Sequence, residues 1–295
     1  MTILEALHWA QDQIKSTAGD NLDAKPNPML DAQILLGYAL SKPTAYLFGH
    51  FDDTLNTSVI EKFQRLVSER VQHKPVAYLT GRKAFYGRDF FVNPLVLIPR
   101  PETELMIDEA RAYIEESDLV IDVGTGSGTI AVTLAAETHQ PVLATEVDPS
   151  VLDVAKTNAR EHGVDHLVSF LHGNLLSPIL ETNIDASRTA LRGVIAANLP
   201  YLRVARWPLL DPDVRDYEPK TALVGGVDGL DVYDALLQQI KAHRHQFPTE
   251  LILLIEIDPS QELSAPVLIR EHFPAATIEV KKDLSTKPRL VIAKL

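Results

Sequence analysis

The segment Asp122-Val123-Gly124-Thr125-Gly126-Ser127-Gly128 stands directly between an apolar run at 119–123 and a helical pattern at 129–137. Glycine at these positions lets the backbone turn sharply and approach a ligand where a Cβ would collide. The residues that follow keep strand and helix in alternation. Strands are expected at 142–146, 168–171, 193–197 and 251–257, and helices at 150–162 and 230–243. Such alternation points to a parallel, doubly wound sheet. The last two runs, 277–281 and 289–294, alternate in polarity across a polar turn, which suits an antiparallel pair at the end of that sheet. The expected fold class is α/β, a Rossmann-like sheet of seven strands.

The first part of the chain has a different texture. Leu4, Leu7, Trp9 and Ile14, then Leu30, Ile34, Leu35, Tyr38 and Leu40 recur at helical spacing, and no β-rich run interrupts them. Asn27-Pro28 reads as a helix start, Lys42-Pro43 as a break, and Thr57-Ser58 as the start of another helix. Between 75 and 100 come two short β-like pieces, Val76-Ala77-Tyr78-Leu79 and Phe90-Phe91-Val92, separated by Gly81 and Gly87. A helix is expected over 102–116. The division that results is a small helical domain at 1–74, a β-hairpin linker at 75–100 and the α/β domain at 101–295.

A length of 295 residues with 45% hydrophobic content leaves room for two domains and sizeable cores. The net charge of -12 opposes a direct nucleic-acid partner, because phosphate contacts need a basic face. The absence of cysteine excludes disulfides and thiolate metal sites and fits a reducing compartment. No apolar run approaches the roughly 20 residues that cross a bilayer, and the start of the chain lacks a basic region followed by an apolar stretch. A cytoplasmic monomer with no membrane partner is expected. His243 and His245, beside Arg244 and Phe247, read as surface or helix-terminal residues, so no metal is expected.

Within the glycine loop the third glycine falls two residues after the second rather than three. That departs from the dinucleotide fingerprint and favours S-adenosylmethionine over a nicotinamide cofactor. About twenty residues on, the strand at 141–145 ends in Glu146, whose carboxylate can accept hydrogen bonds from both ribose hydroxyls of a nucleoside. Taken alone, Glu146 reads equally well as a solvated carboxylate. Asp148 competes for the same role but precedes Pro149, which favours a helix cap. After the next strand, His172-Gly173-Asn174-Leu175 places a polar Asn174 and an apolar Leu175 where adenine would lie, although an Asx-turn at Asn174 explains it as well.

Asn198-Leu199-Pro200-Tyr201 follows the fourth strand, at the carboxyl end where open α/β sheets bind ligands. An amide or aromatic-amine nitrogen is a poor nucleophile because its lone pair is delocalised. The Asn198 side-chain oxygen and the Leu199 carbonyl can each accept one N–H and aim such a nitrogen at a methyl sulfonium. Pro200 stiffens the turn, and Tyr201 can stack on a planar group.

With these residues the chain resembles the peptide chain release factor glutamine methyltransferases, the HemK or PrmC family. The likeness spans nearly the whole chain. It includes Pro75-Val76-Ala77-Tyr78-Leu79-Thr80-Gly81, Ile98-Pro99-Arg100-Pro101-Glu102-Thr103-Glu104, and Tyr217-Glu218-Pro219 with Ala222-Leu223, Gly225-Gly226 and Asp228-Gly229-Leu230. The resemblance implies a class I methyltransferase sheet and an N-terminal helical domain that recognises the substrate. It implies N5-methylation of the glutamine in the Gly-Gly-Gln motif of class I release factors, with S-adenosylmethionine as donor and S-adenosylhomocysteine as product. Gly124, Thr125, Gly126, Ser127, Gly128 and Glu146 would then hold the cofactor, Asn174 and Leu175 would lie near adenine, and Asn198, Leu199, Pro200 and Tyr201 would hold the glutamine amide. Arg100, Glu102 and Glu104 would line the site, although the two glutamates also suit a helix first turn. The segment 203–229, rich in Pro, Asp and Gly, would act as a lid or a contact loop, with Glu218 mattering more for protein methylation than for cofactor affinity.

Three positions depart from the family's pattern: Leu199 where proline is usual, Glu146 where aspartate is usual, and Asp258 after Ile255-Glu256-Ile257 where glycine is common. Two other readings remain open on sequence grounds. Asn-Leu-Pro-Tyr also looks like the motif of rRNA adenine dimethyltransferases, which implies an N6-adenine enzyme acting on rRNA or DNA. A non-catalytic nucleotide-binding module is the other.

Overall fold

Leu119–Val123 is buried along its whole length, as an apolar run must be when both faces of its sheet are covered. In the computed structural model, which describes residues 1–16, 27–116, 118–181, 190 and 192–295, the chain divides into two units. One comprises Met1–Arg82 with Leu209–Glu218, and the other Lys83–Pro208 with Pro219–Leu295.

The first unit is helical: α1 (Ile3–Lys15), α2 (Pro28–Leu40), α3 (Thr44–Phe48), α4 (Thr57–Val71), α5 (Val76–Thr80) and, from its second stretch, α10 (Pro212–Arg215). Polar residues start the helices where the sequence places them. Thr2 and Glu5 form a reciprocal capping box on α1, and Asn27 and Asn56 accept N–H bonds at the starts of α2 and α4. Leu7, Leu35, Leu36 and Phe63 are sealed in the core of this unit. One charge is buried with them. The Arg70 guanidinium lies 2.8 Å from Asp31 and 2.8 Å from Asp213.

Val76–Thr80 corrects the sequence reading, which expected a strand. Pro75 precedes the helix in an extended conformation, Gly81 ends it at φ 69°, and the consecutive residues Ala77, Tyr78 and Leu79 are all buried. Consecutive burial is incompatible with an alternating half-buried strand but suits one short, wedged helical turn. The hairpin lies just beyond, as β1 (Arg82–Phe85) and β2 (Arg88–Phe91). Its two-residue turn, Tyr86 and Gly87, has φ of 49° and 71°, the geometry that matches strand twist.

In the second unit, the helix expected over 102–116 is shorter. A 3₁₀ turn, Pro101–Thr103, leads into α6 (Glu104–Arg111). Then come β3 (Leu119–Val123), α7 (Thr129–Thr138), β4 (Val142–Glu146), α8 (Pro149–Glu161), β5 (Val168–His172), α9 (Ser177–Glu181), β6 (Arg192–Ala197), α11 (Asp231–Ala242), β7 (Glu250–Glu256), α12 (Ser264–His272), β8 (Thr277–Lys282) and β9 (Pro288–Lys294). The seven-stranded sheet runs β5-β4-β3-β6-β7-β9-β8, parallel except for the final antiparallel pairings. Successive residues of each central strand serve opposite cores. Ile121, Ile195 and Leu253 face the core shared with α11 and α12, whereas Val120, Val194 and Ile252 face the core shared with α6 and α7. Because β4 lies on one side of β3 and β6 on the other, the loops leaving β3 and β6 part at a topological switch point.

Removing Arg70 would leave two acidic partners without their shared cation. Arg70→Ala is expected to cost about 3 kcal/mol of unfolding free energy, read from urea denaturation of the purified protein.

Candidate active site

Val123 of β3 pairs with Ala197 of β6, so Gly124 and Asn198 are the first residues beyond two adjacent strand ends. Gly124, Gly126 and Gly128 have φ of 73°, 55° and 81°, a left-handed sequence that explains three glycines in five residues. The Gly124 and Thr125 N–H groups both donate to the Thr145 carbonyl at 2.9 Å. Asp122, fully buried at the root of the loop, accepts from the Thr125 hydroxyl at 2.6 Å and from the Ala131 N–H at 3.0 Å. Among the described residues its second oxygen has no partner, and burial pushes its carboxyl up to about 7 against those two bonds. Asn158 on α8 ties the loop to the hairpin, donating to the Ser127 and Phe91 carbonyls and accepting from the Phe91 N–H.

Glu146 closes the far side of this loop. One carboxylate oxygen accepts from the Gly126 N–H at 3.1 Å, and the other from the Val147 and Asp148 N–H groups at 2.8 and 3.2 Å. Asp148 is the cap of α8, accepting from the Ser150 N–H. A Cβ placed on Gly126 would meet no atom nearer than 4.0 Å, so the loop presents bare backbone to open space. On Gly124 a Cβ would come within 2.7 Å of a Leu199 methyl. The glycine turn and the Asn198 turn are therefore in contact.

The second turn is held from behind by a buried polar chain. Asn198 Nδ2 donates to Thr103 Oγ1 at 3.2 Å, Thr103 donates to Glu256 Oε2 at 2.7 Å, and the Tyr201 hydroxyl donates to Glu256 Oε1 at 3.1 Å. Burial raises the Glu256 carboxyl, opposed by the Thr103 and Tyr201 bonds. Burial first, and then the negative Glu256, push the Tyr201 phenol well above its usual range, so it stays protonated and cannot serve as a base near neutral pH. Tyr233 of α11 is also fully buried. Its hydroxyl accepts from the Leu199 N–H at 3.2 Å and donates to the Glu256 carbonyl at 2.5 Å, while burial raises it in the same direction as Tyr201. The loop at 225–229 packs so closely on this turn that a Cβ on Gly225 would strike the Pro200 carbonyl oxygen.

Arg100, Gly124, Thr125, Gly126, Ser127, Glu146, Asn174, Leu175, Asn198, Leu199 and Pro200 line one cavity of about 430 Å³, a volume within the usual range for small-molecule sites. The other residues expected there lie elsewhere. Gly128 is turned against Ala155 of α8, where a Cβ would sit 3.0 Å from the alanine methyl. Tyr201 points its hydroxyl at Glu256 rather than along the cavity. Glu104 accepts from the Tyr86 N–H at 2.7 Å and so fixes the hairpin turn, and Glu102 faces Arg289 at 3.5 Å. Glu218 belongs to the helical unit, where it is buried and its N–H donates to the Val214 carbonyl. For Glu102 and Glu104 the first-turn reading, rather than the site-lining one, matches these positions.

Sequence reasoning missed Thr103 and Tyr233. Thr103 lies in the segment from Ile98 to Glu104 that carries the resemblance but nothing local assigns it a role, Tyr233 stands in no such segment, and each meets its partners only through the fold. Glu256 carried a signal, since a carboxylate within Leu251-Ile252-Leu253-Leu254-Ile255-Glu256-Ile257 is costly unless it is used.

Comparison with known proteins gives two family matches. The PrmC N-terminal domain matches residues 5–81, and ribosomal protein L11 methyltransferase (PrmA) matches residues 100–198. A release factor glutamine methyltransferase of Bacillus anthracis is 34% identical over 301 residues, covering 100% of both chains. Another, of Xylella fastidiosa, is 40% identical over 217 residues, covering 72% of this chain and 75% of its own. Among solved structures, the hMettl16 catalytic domain aligns with a TM-score of 0.53 and 16% identity over 78% of this chain and 91% of its own, which shows a shared fold.

Two measurements probe the buried groups. The native state holds the Asp122 proton up to about pH 7 whereas the unfolded chain releases it near 3.8, so this residue destabilises the fold progressively between those values. The stability difference between wild type and Asp122→Asn should shift in the variant's favour by up to about 4 kcal/mol as pH rises through that window, then level off. Urea denaturation across pH reads this directly. Tyr233→Phe leaves the buried Leu199 N–H and Glu256 carbonyl without their shared hydroxyl. A loss of about 2 kcal/mol in the same assay is expected, together with slower catalysis.

Proposed function

The chain belongs to the release factor glutamine methyltransferase family, and from that premise we propose that it methylates the side-chain amide of the glutamine in the Gly-Gly-Gln motif of class I peptide chain release factors. S-adenosylmethionine is the donor, and it supplies an electrophilic methyl group on a sulfonium. The residues present suit it: bare backbone over Gly126, a carboxylate at the end of β4, and an apolar wall at Leu175 share one cavity. In this reading Gly124, Thr125, Gly126, Ser127 and Glu146 hold the cofactor, with Glu146 receiving the ribose hydroxyls and Asn174 and Leu175 meeting adenine.

Asn198 and Leu199 orient the nucleophile. The Asn198 oxygen and the Leu199 carbonyl each accept one N–H of the glutamine amide, which turns its nitrogen toward the methyl and keeps it from rotating. Positive charge grows on that nitrogen as the bond forms. The two acceptor dipoles face it, and the Glu256 carboxylate lies behind them, so the charge develops in a field already arranged for it. No side chain need remove the proton in advance, because the nitrogen becomes acidic only as it is methylated, and Tyr201 is held protonated by its surroundings. Pro200 and Tyr201 brace the turn, and Arg100 lines the same cavity. Glu102, Glu104 and Glu218 act away from the reacting atoms, as supports.

The contact between the glycine turn and the Asn198 turn carries this reading, because it brings a donor held by one turn against an acceptor held by the other. The helical unit is the docking surface for the release factor, supported by its match to the PrmC N-terminal domain. A protein substrate rather than RNA accords with the net charge of -12. A monomeric enzyme of the cytoplasm is part of this proposal, and the described residues include no helix long and apolar enough to cross a membrane.

Intact-mass analysis of release factor incubated with enzyme and S-adenosylmethionine should show one added methyl group, mapped by peptide analysis to the motif glutamine. Asn198→Ala should lower turnover about 10²- to 10³-fold while S-adenosylhomocysteine affinity, read by calorimetry, holds within a few-fold. Label appearing on ribosomal RNA and not on release factor would overturn the proposal.

A further inference from the structure

We propose that Thr103 is a positioning residue whose hydroxyl, committed to Glu256, dictates which end of the Asn198 amide faces the reacting nitrogen. This rests on the glutamine-methylating reading given above and adds to it a residue that acts through Asn198.

A primary amide is nearly symmetric in shape, so packing alone does not decide whether Asn198 presents its oxygen or its NH2. The chemistry needs the oxygen, since an NH2 group would repel the N–H groups of the incoming amide. Thr103 decides the matter by proton counting. An ionised carboxylate only accepts, so the single Thr103 hydroxyl proton goes to Glu256 Oε2 at 2.7 Å. The Thr103 oxygen then has lone pairs alone to offer, and Asn198 must turn Nδ2 toward it, as it does at 3.2 Å. With Nδ2 held there, planarity of the amide sends Oδ1 the other way. Asn198 and Thr103 both line the cavity, and Thr103 itself is only 4% exposed, so water does not readily take over its hydrogen bonds.

The chain of donors also has a fixed direction. Glu256 sits at the end of β7, Thr103 in the 3₁₀ turn before α6, and Asn198 after β6. Three separate elements thus deliver one polarity, from carboxylate to hydroxyl to amide, with the acceptor end emerging at the site. Tyr201 donates to the other Glu256 oxygen, which leaves Oε2 for Thr103. Each bond in such a chain polarises the next, so the Asn198 oxygen becomes a better acceptor than an isolated amide would be.

The test compares Thr103→Val, which keeps the shape and removes the hydroxyl, with Thr103→Ser, which restores it. With release factor as substrate, Thr103→Val should lower kcat about 10- to 100-fold, with KM for release factor and affinity for S-adenosylhomocysteine each within about twofold of wild type. Thr103→Ser should return kcat to within a few-fold. Selective 15N-asparagine labelling gives a readout independent of turnover: the Asn198 NH2 signals should move in Thr103→Val and return in Thr103→Ser. If Thr103→Val retains wild-type kcat, or if serine is as impaired as valine, the relay is wrong and only the volume of the side chain matters. Should Thr103→Val fail to fold, Thr103→Ser against Thr103→Ala makes the same comparison. Absence of glutamine methylation by the wild type would instead refute the functional reading, which separates the two failures.

Discussion

Val123 and Ala197 lie in register on adjacent parallel strands, and almost everything about the site follows from that pairing. Two strands that run the same way and end level release their loops at the same edge. Because the sheet winds outward in both directions from β3 and β6, the loops leave a crevice between them. The glycine turn occupies one side and the Asn198 turn the other. Their contact, a Gly124 Cβ position within 2.7 Å of Leu199, fixes how near two separately held ligands can come. A slip of one residue between the strands would turn each terminal side chain to the opposite face and misplace both turns together.

Two carboxylates are buried to hold that geometry, and both are costly. Asp122 supports the glycine loop from below with one oxygen, while the other has no partner among the described residues. Glu256 supports the second turn through Thr103 and Tyr201 and is better satisfied. In both, desolvation raises the carboxyl and hydrogen bonds from neighbouring groups oppose that rise. A purely apolar core at these two places would be easier to stabilise, but it would leave the backbone of one turn and the side chain of the other free to rotate.

Leu199 illustrates how a local departure is absorbed. A proline there would have no N–H, whereas leucine brings one into a dry interior. The Tyr233 hydroxyl accepts it and donates its own hydrogen bond to the Glu256 backbone carbonyl, tying the turn to α11 and β7. The side chain is also used, as its methyl packs against the glycine turn. Stiffness that a ring would supply through bonds comes here from hydrogen bonding.

The sequence determined the order of strands and helices, the seven-stranded sheet with its antiparallel close, the helix caps at Asn27 and Asp148, and the two turns that line the cavity. These are legible because each depends on period, on φ preference or on residues adjacent in the chain. It misjudged Val76–Thr80, where β-branched and aromatic residues suggested a strand but the chain forms a helical turn with three consecutive residues, Ala77, Tyr78 and Leu79, buried. It could not place Glu104 on the hairpin or Glu218 in the helical unit, and it assigned no role to Thr103 or Tyr233. Thr103 lies 95 residues from Asn198 and 153 from Glu256, and Tyr233 lies 34 from Leu199. Hydrogen bonds over such separations leave no local pattern, since an ordinary threonine or tyrosine acquires its partner only when sheet pairing brings distant elements together. Local conformational preference can be read from neighbours along the chain, but the direction in which a side-chain amide points is decided by atoms that only the tertiary structure brings within reach.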